Sequence, residues 1–228
     1  MSWLPPSRTE AKRRVYLVEG HPVTRQGFRL LIDREADLMV CGLAATAREA
    51  LAEIGAAKPD IAVIDIALPG RDGIELIKDL VVQHPRVAML VLSNLDESIY
   101  ANRALQAGAM GYVNKYEPVE HILMAVRDVL EGEIYLSTAM RNQLLLKSIN
   151  FSGNNPTLGV DLLSDRELQI FRMLGEGMGT RQLAKTLNLS ISTVETHRTH
   201  IKDKLGVKSA TELLRQAVIW LNNQNFEH

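Results

Sequence analysis

Apolar and polar positions change rhythm partway along the chain. From Arg14 to about Glu133, short apolar runs rich in β-branched residues alternate with longer stretches at helical period. The runs "VYLVE" (15 to 19), "LMVCGL" (38 to 43), "IAVID" (61 to 65), "VAMLVLS" (87 to 93) and "GYVN" (111 to 114) read as strands with helices between them. Their residues are apolar in succession rather than in alternation, which suits strands covered on both faces. The expectation for residues 13 to 133 is an α/β domain: a doubly wound, five-stranded parallel sheet, with ligands held at the carboxyl ends of the strands.

After Glu133 the strand signal stops. A helical stretch, "STAMRNQLLLKS" (137 to 148), precedes "INFSGNNPTLGVD" (149 to 161), where turn formers and weak periodicity mark a linker. Residues 134 to 161 are therefore read as a helical linker and flexible segment, and residues 162 to 228 as a second, smaller all-α domain. From Leu162 to Asn222 the helical pattern is cut at Gly175/Gly177/Gly179, at Asn188 to Ser190 and at Gly206. Ser164 and Glu167 have the spacing of a capping box, which starts the first piece. The next two, "TRQLAKTLN" and "STVETHRTHIKDKLG", meet at "LSIS", with Ser190 or Ser192 as the cap, in helix-turn-helix geometry. Val194, His197, Ile201 and Leu205 share one face and point to the small core, so His197 reads as packed. The opposite stripe holds Glu195, Arg198, Thr199 and Lys202, with Thr196 beside it. Arg can bind guanine bidentately, Glu can accept from cytosine and Thr can contact bases or phosphates; a solvated helix face carries the same pattern.

Composition narrows the classes. With 228 residues, 46% hydrophobic and 23% charged, wholesale disorder is excluded. A net charge of -1 gives no overall attraction to polyanions or anionic membranes, so any such site is local. Ser192 to Lys208 supplies a local excess through Arg198, Lys202, Lys204 and Lys208 against Glu195 and Asp203. The single Cys41 rules out an internal disulfide and a Cys-rich zinc site. No apolar run has the length of a membrane span and the start of the chain lacks a leader's apolar core, so the expected location is the cytoplasm, with no membrane partner.

Candidate chemistry lies at the sheet's carboxyl edge, where Asp65, Ser93 and Lys115 stand at or just past strand ends. A carboxylate, a hydroxyl and an ammonium brought together there can accept, hydrogen-bond and neutralise a phosphoryl group. Taken singly, such an Asp or Ser also caps helices, and an edge Lys is usually solvated. The first turn, "EGHPVTRQG", contains neither G-x-G-x-x-G nor a P-loop, and Asp65-Ile66-Ala67 is not the D-x-D of a haloacid dehalogenase.

"PDIAVIDIALPGRDGIEL", "VLS" and "GYVNK", in this order, resemble the receiver domain of two-component response regulators. The resemblance implies a flavodoxin-like fold, Asp65 as phosphoacceptor, Ser93 and Lys115 against the phosphoryl oxygens, and Pro69 and Gly70 shaping the loop after the acceptor. It also implies that Tyr112 is an aromatic switch, turning inward when Ser93 moves to the phosphoryl group. Receivers carry two consecutive acidic residues after the first strand, the second of them ligating Mg²⁺; here they are Glu19 and Gly20. The implied metal set is then Glu19, Asp65 and the Ala67 carbonyl, holding Mg²⁺ weakly. Asn94 stands where small residues are usual and is expected to crowd the pocket.

"LSDREL" and "EGMGTRQLAKTLNLSISTVETHRTHIKDKLGV" resemble the LuxR-type helix-turn-helix. Together the two resemblances imply the NarL/FixJ class: a DNA-binding transcription regulator rather than an enzyme. The implied partners are double-stranded DNA, a cognate histidine kinase or small phosphodonor, and a second copy of the chain. DNA contact is implied for Glu195, Thr196, Arg198, Thr199 and Lys202. In the last helix, Leu213, Leu214, Ala217 and Val218 supply either a dimer surface or the domain's own core. Two rivals remain: a phosphorylation-independent receiver serving as a dimerisation or interaction module, and a ligand-binding flavodoxin-like domain with a deep apolar pocket fused to the DNA-binding domain.

Overall fold

The structure, a computed structural model, describes residues 11 to 149 and 159 to 225, except for the side chains at 147 to 149 and 224 to 225. Five strands alternate with five helices: β1 (Arg13–Val18), α1 (Pro22–Asp33), β2 (Leu38–Ala44), α2 (Ala47–Ala57), β3 (Ile61–Ile64), α3 (Gly73–Gln83), β4 (Ala88–Ser93), α4 (Glu97–Ala107), β5 (Gly111–Asn114) and α5 (Val119–Leu130). The strands form one parallel sheet in the order β2-β1-β3-β4-β5. Successive side chains of each inner strand enter opposite cores. Leu17, Val63 and Leu92 pack on one face with Ile122 and Val126 of α5, while Val18, Ile64 and Val91 pack on the other with Ile54, Ile77 and Ala104. This is why the strands read as unbroken apolar runs.

The strand order reverses between β1 and β3, and the crevice beyond their carboxyl ends is where a doubly wound sheet holds its chemistry. The helices after β2, β3 and β4 start on side-chain caps, Thr46, Asp72 and Asp96, each accepting a backbone N–H of the first turn. These caps fix where each loop ends and so how far it can lean over the crevice.

Beyond α5, the expected helix appears as α6 (Thr138–Ile149). Of the expected flexible segment, residues 150 to 158 lie outside the described residues. Its end differs from expectation: Gly159–Leu162 is a 3-10 turn, held by Arg103 of α4, whose guanidinium donates to the Val160 carbonyl. Four helices follow: α7 (Asp165–Gly175), α8 (Thr180–Leu187), α9 (Ile191–Leu205) and α10 (Ala210–Asn225). Leu168, Phe171, Leu183, Val194, Ile201, Leu213 and Ala217 form their core. Gly175 permits the α7–α10 approach, since a Cβ there would lie 2.6 Å from the Ala217 carbonyl oxygen. Among the described residues no helix is long and apolar enough to cross a membrane.

Candidate functional site

Strand register explains why the edge residues meet. Val18 of β1 lies opposite Ile64 of β3, so the residues that follow, Glu19 and Asp65, leave the sheet side by side. Ser93 pairs with Asn114, and the next residue, Lys115, donates its backbone N–H to the Ser93 carbonyl at 3.0 Å. The Lys115 ammonium then reaches between the carboxylates, 2.6 Å from Glu19 Oε2 and 2.8 Å from Asp65 Oδ2. Both acids are buried, and two carboxylates this close in a poorly solvated site need a cation between them. Their other oxygens are satisfied locally. Glu19 Oε1 accepts the His21 N–H at 2.8 Å and Asp65 Oδ1 accepts the Ala67 N–H at 3.3 Å.

Glu19 thus turns inward, but its neighbour cannot follow. A Cβ at Gly20 would lie 2.9 Å from Cδ of Pro69, because the loop after Asp65 closes over this position. Two buried carboxylates beside the Ala67 backbone are hard oxygen donors of the kind Mg²⁺ accepts, and in type they fit that ion. Among the described residues, however, no group of three or more His, Cys, Asp or Glu side chains is placed to hold a metal. Asn94 is exposed, so it does not crowd the pocket as its position suggested.

Ser93 is fully buried, and its Oγ accepts the Leu95 N–H at 3.3 Å. The Tyr112 hydroxyl donates to the Leu95 carbonyl at 2.7 Å, and the ring is buried. Burial pushes this phenol well above its ordinary pKa, against the opposing effect of a hydrogen bond with Ser93. The ring is already inside while Asp65 is paired with Lys115, because the Leu95 carbonyl gives the hydroxyl a partner there.

Sequence reasoning missed the packing below Asp65. A Cβ at Gly73 would fall 2.1 Å from the Asp65 carbonyl oxygen, so α3 begins hard against Asp65. The α3 cap, Asp72, accepts the Ile74 N–H at 2.8 Å and is buried, which pushes its carboxyl up to about 7. The only signal for either was the Asp-Gly pair ahead of an apolar run.

In the helical domain, Ser190 caps α9 by accepting the Thr193 N–H, and Ser164 with Glu167 makes the expected capping box on α7. Glu167 also takes the Lys204 ammonium at 2.6 Å; against the opposing effect of burial, that contact and the cap hold its carboxyl below the usual range. Val194 and Ile201 are buried, with His197 and Leu205 partly so, leaving Glu195, Thr196 and Thr199 exposed. Arg198 is largely buried and tied down: its guanidinium donates to Glu195 Oε1 at 3.0 Å and to Thr180 Oγ1, whose hydroxyl donates to the same Glu195 oxygen at 2.8 Å. Lys202 is half-buried. On α10, Leu213 and Ala217 close the domain's core, whereas Leu214 and Val218 are exposed together with Ile219.

A second cluster, invisible to periodicity, joins the two halves. Asp165, first residue of α7, receives Lys78 of α3 at 2.7 Å and Arg103 of α4 at 3.0 Å. Arg103 also donates to the Leu163 carbonyl at 2.8 Å. Arg166 donates to the Leu187 carbonyl at 3.1 Å and reaches the Gly70 carbonyl, five residues past Asp65, at 3.5 Å.

In comparison with known proteins, two stretches of the chain match different families. Residues 15 to 127 match the response regulator receiver domain, and residues 161 to 217 match the LuxR family of bacterial regulatory proteins. The oxygen regulatory protein NreC of Staphylococcus aureus is 34% identical over 210 residues, covering 90% of this chain and 96% of NreC. The crystal structure of ChrA, the response regulator of a heme-sensing two-component system, is 33% identical, covering 92% of this chain and 98% of ChrA, with a TM-score of 0.50. RcsB of Salmonella enterica serovar Typhimurium, bound to promoter P1flhDC in the presence of the phosphomimetic BeF3-, is 25% identical, covering 91% of this chain and 98% of RcsB, with a TM-score of 0.64. With both halves matched and a relative aligned along nearly its whole length, the chain belongs to the two-component response regulators of the NarL/FixJ class and is a DNA-binding transcriptional regulator built from a receiver and a LuxR-type helix-turn-helix.

Proposed function

We propose that Asp65 is the phosphoacceptor and that its charge state is read by the DNA-binding domain. The observation that carries this reading is the placement of Lys115, a cation held 2.8 Å from the buried Asp65 carboxylate at the sheet's switch point. Asp65 attacks the phosphorus of a histidine kinase phosphoramidate or a small acyl phosphate; an O–P bond forms as the donor's P–N or P–O bond breaks. Lys115 neutralises the added charge and the Ser93 hydroxyl donates to a phosphoryl oxygen. Mg²⁺ held by Glu19, Asp65 and the Ala67 carbonyl would add positive charge against the same oxygens.

The output stripe is Glu195, Thr196, Arg198, Thr199 and Lys202, on a helix that exposes Glu195, Thr196 and Thr199 and keeps Arg198 and Lys202 partly buried. One such helix reads few bases, so the functional unit is a two-fold dimer on half-sites about one helical turn, roughly 10 bp, apart. The exposed Leu214, Val218 and Ile219 on α10 offer a surface for pairing on DNA. The cytoplasm is the compartment in which this system works.

A second reading is favoured by Tyr112, which already lies inward. On that reading the receiver is a phosphorylation-independent interaction module. Treatment of wild type, Asp65→Asn and Lys115→Ala with a small phosphodonor, with and without Mg²⁺, separates the two. Added mass on Asp65 with a shift in oligomeric state and operator affinity, in wild type alone, supports the acceptor reading. Three coincident curves with tight operator binding throughout retire it.

A further inference from the structure

A cleft of about 580 Å³ opens between the two domains, beside the loop that follows Asp65. Its receiver walls are the turn into α2, with Arg48 and Glu49, and the loop carrying Gly70 and Arg71; the facing wall is Arg166 and the end of α8. The volume is that of a small-molecule site. The charges around it are unevenly committed. Arg71 is paired with Asp79 and Glu75, and Glu75 also takes Lys78. The Glu49 carboxylate faces its own turn, accepting the Ala45 N–H at 2.7 Å. Among the described residues, Arg48 and Arg166 make no ion pair. Arg48 is exposed, while Arg166 is half-buried against neutral acceptors, the Gly70 and Leu187 carbonyls and Gln169 Oε1.

Burial lowers the pKa of the Arg166 guanidinium, and the carboxylates of Asp72 and Glu75 oppose that only at longer range, so its planar fork, which matches a carboxylate or phosphate, has no ion-pair partner in contact among the described residues. We propose that this cleft binds a small anionic metabolite bearing carboxylate or phosphate groups, bridging Arg48 of the receiver and Arg166 of the DNA-binding domain. Because the two cations belong to different domains, the ligand fixes their relative placement. The contact reaches Gly70, in the acceptor's own loop, and Leu187, four residues before α9, so a metabolite here acts on both ends of the signalling path.

The test is calorimetric titration of the full chain with inorganic phosphate, citrate and adenosine monophosphate. One anion per chain is expected to bind, citrate tighter than the others if carboxylates are the ligand class and the phosphates tighter if phosphate is. Arg48→Ala, at an exposed position, and Arg166→Gln, checked for folding by circular dichroism, each weaken binding roughly tenfold or more. No heat from any of the three anions, or affinity unchanged in both arginine variants, overturns the proposal. So does binding that survives Arg48→Ala but disappears in Lys115→Ala, which places the anion in the acceptor pocket. The phosphodonor assay described above is read by added mass on Asp65, so either idea can fail without the other.

Discussion

The ammonium of Lys115 lies 2.6 Å from the Glu19 carboxylate, so the lysine beside Asp65 is also held by the residue that follows β1. Lys115→Ala leaves two buried acids facing each other. Removing one partner of a buried ion cluster costs on the order of 3 to 5 kcal/mol. Urea unfolding at neutral pH is expected to show a loss of this size, and Mg²⁺ to restore more stability to the variant than it adds to wild type. A variant as stable as wild type and indifferent to Mg²⁺ would mean that the acids are not coupled.

Gly20→Asp supplies the carboxylate that the receiver pattern leads one to expect, but into space that Pro69 closes. Overpacking against a rigid ring costs about 1 to 3 kcal/mol. The single variant is expected to unfold earlier and to gain little Mg²⁺ affinity, whereas Gly20→Asp with Pro69→Ala recovers stability and binds Mg²⁺ more tightly than wild type by calorimetry.

Asp165→Ala leaves Lys78 and Arg103 without the carboxylate that ties receiver to output. Sedimentation of the monomer is expected to slow as the domains separate, while the circular dichroism of the folded protein is retained. An unchanged sedimentation coefficient sinks the role given to this clamp.

Arg198→Ala is expected to lower specific operator affinity by about 1 to 3 kcal/mol, because it removes a base-reading group and frees Glu195 from its partner. Lys202→Ala should weaken binding almost equally on operator and unrelated duplexes. Footprinting and titration on both sequences distinguish base reading from phosphate contact.

Asp72 gives a pH dependence whose sign follows from its burial. Its carboxyl is pushed up to about 7 in the folded protein, against about 3.9 in an unfolded chain. The folded state therefore holds the proton more tightly, and this contribution to stability, present in full below pH 4, fades as pH rises through 7. Asp72→Asn keeps an oxygen for the Ile74 N–H without acquiring charge. It is expected to be more stable than wild type at pH 8, by up to roughly 4 kcal/mol, with the gap closing on acidification. Denaturation midpoints that run parallel from pH 4 to pH 8 contradict this.

Most of the receiver was legible because its signals are local. Five apolar runs had to be covered strands, and Asp65, Ser93 and Lys115 stand at strand ends that parallel pairing brings together. The inward path of Glu19 was less legible, since it depends on register with Asp65 and on an ammonium from a third strand. Closure of Pro69 over Gly20 and the approach of Gly73 to Asp65 are loop geometry, which leaves only glycines in the sequence. The tie between Arg103 and Asp165 was not legible at all. It joins residues 62 positions apart, and nothing in the helical pattern of either marks them as partners.

The buried ring of Tyr112 bears on the regulator's dynamic range. Driving a two-state element from 1:99 to 99:1 takes a bias of about 5.5 kcal/mol, and a bias applied to an equilibrium that already leans toward the output form changes its population by far less. On the reading in which the inward ring of Tyr112 belongs to the output form, high operator occupancy without phosphodonor and a small further rise with it are expected. On that reading the regulator is expected to act as a set point trimmed up or down by what binds it, rather than as a switch thrown from fully off to fully on.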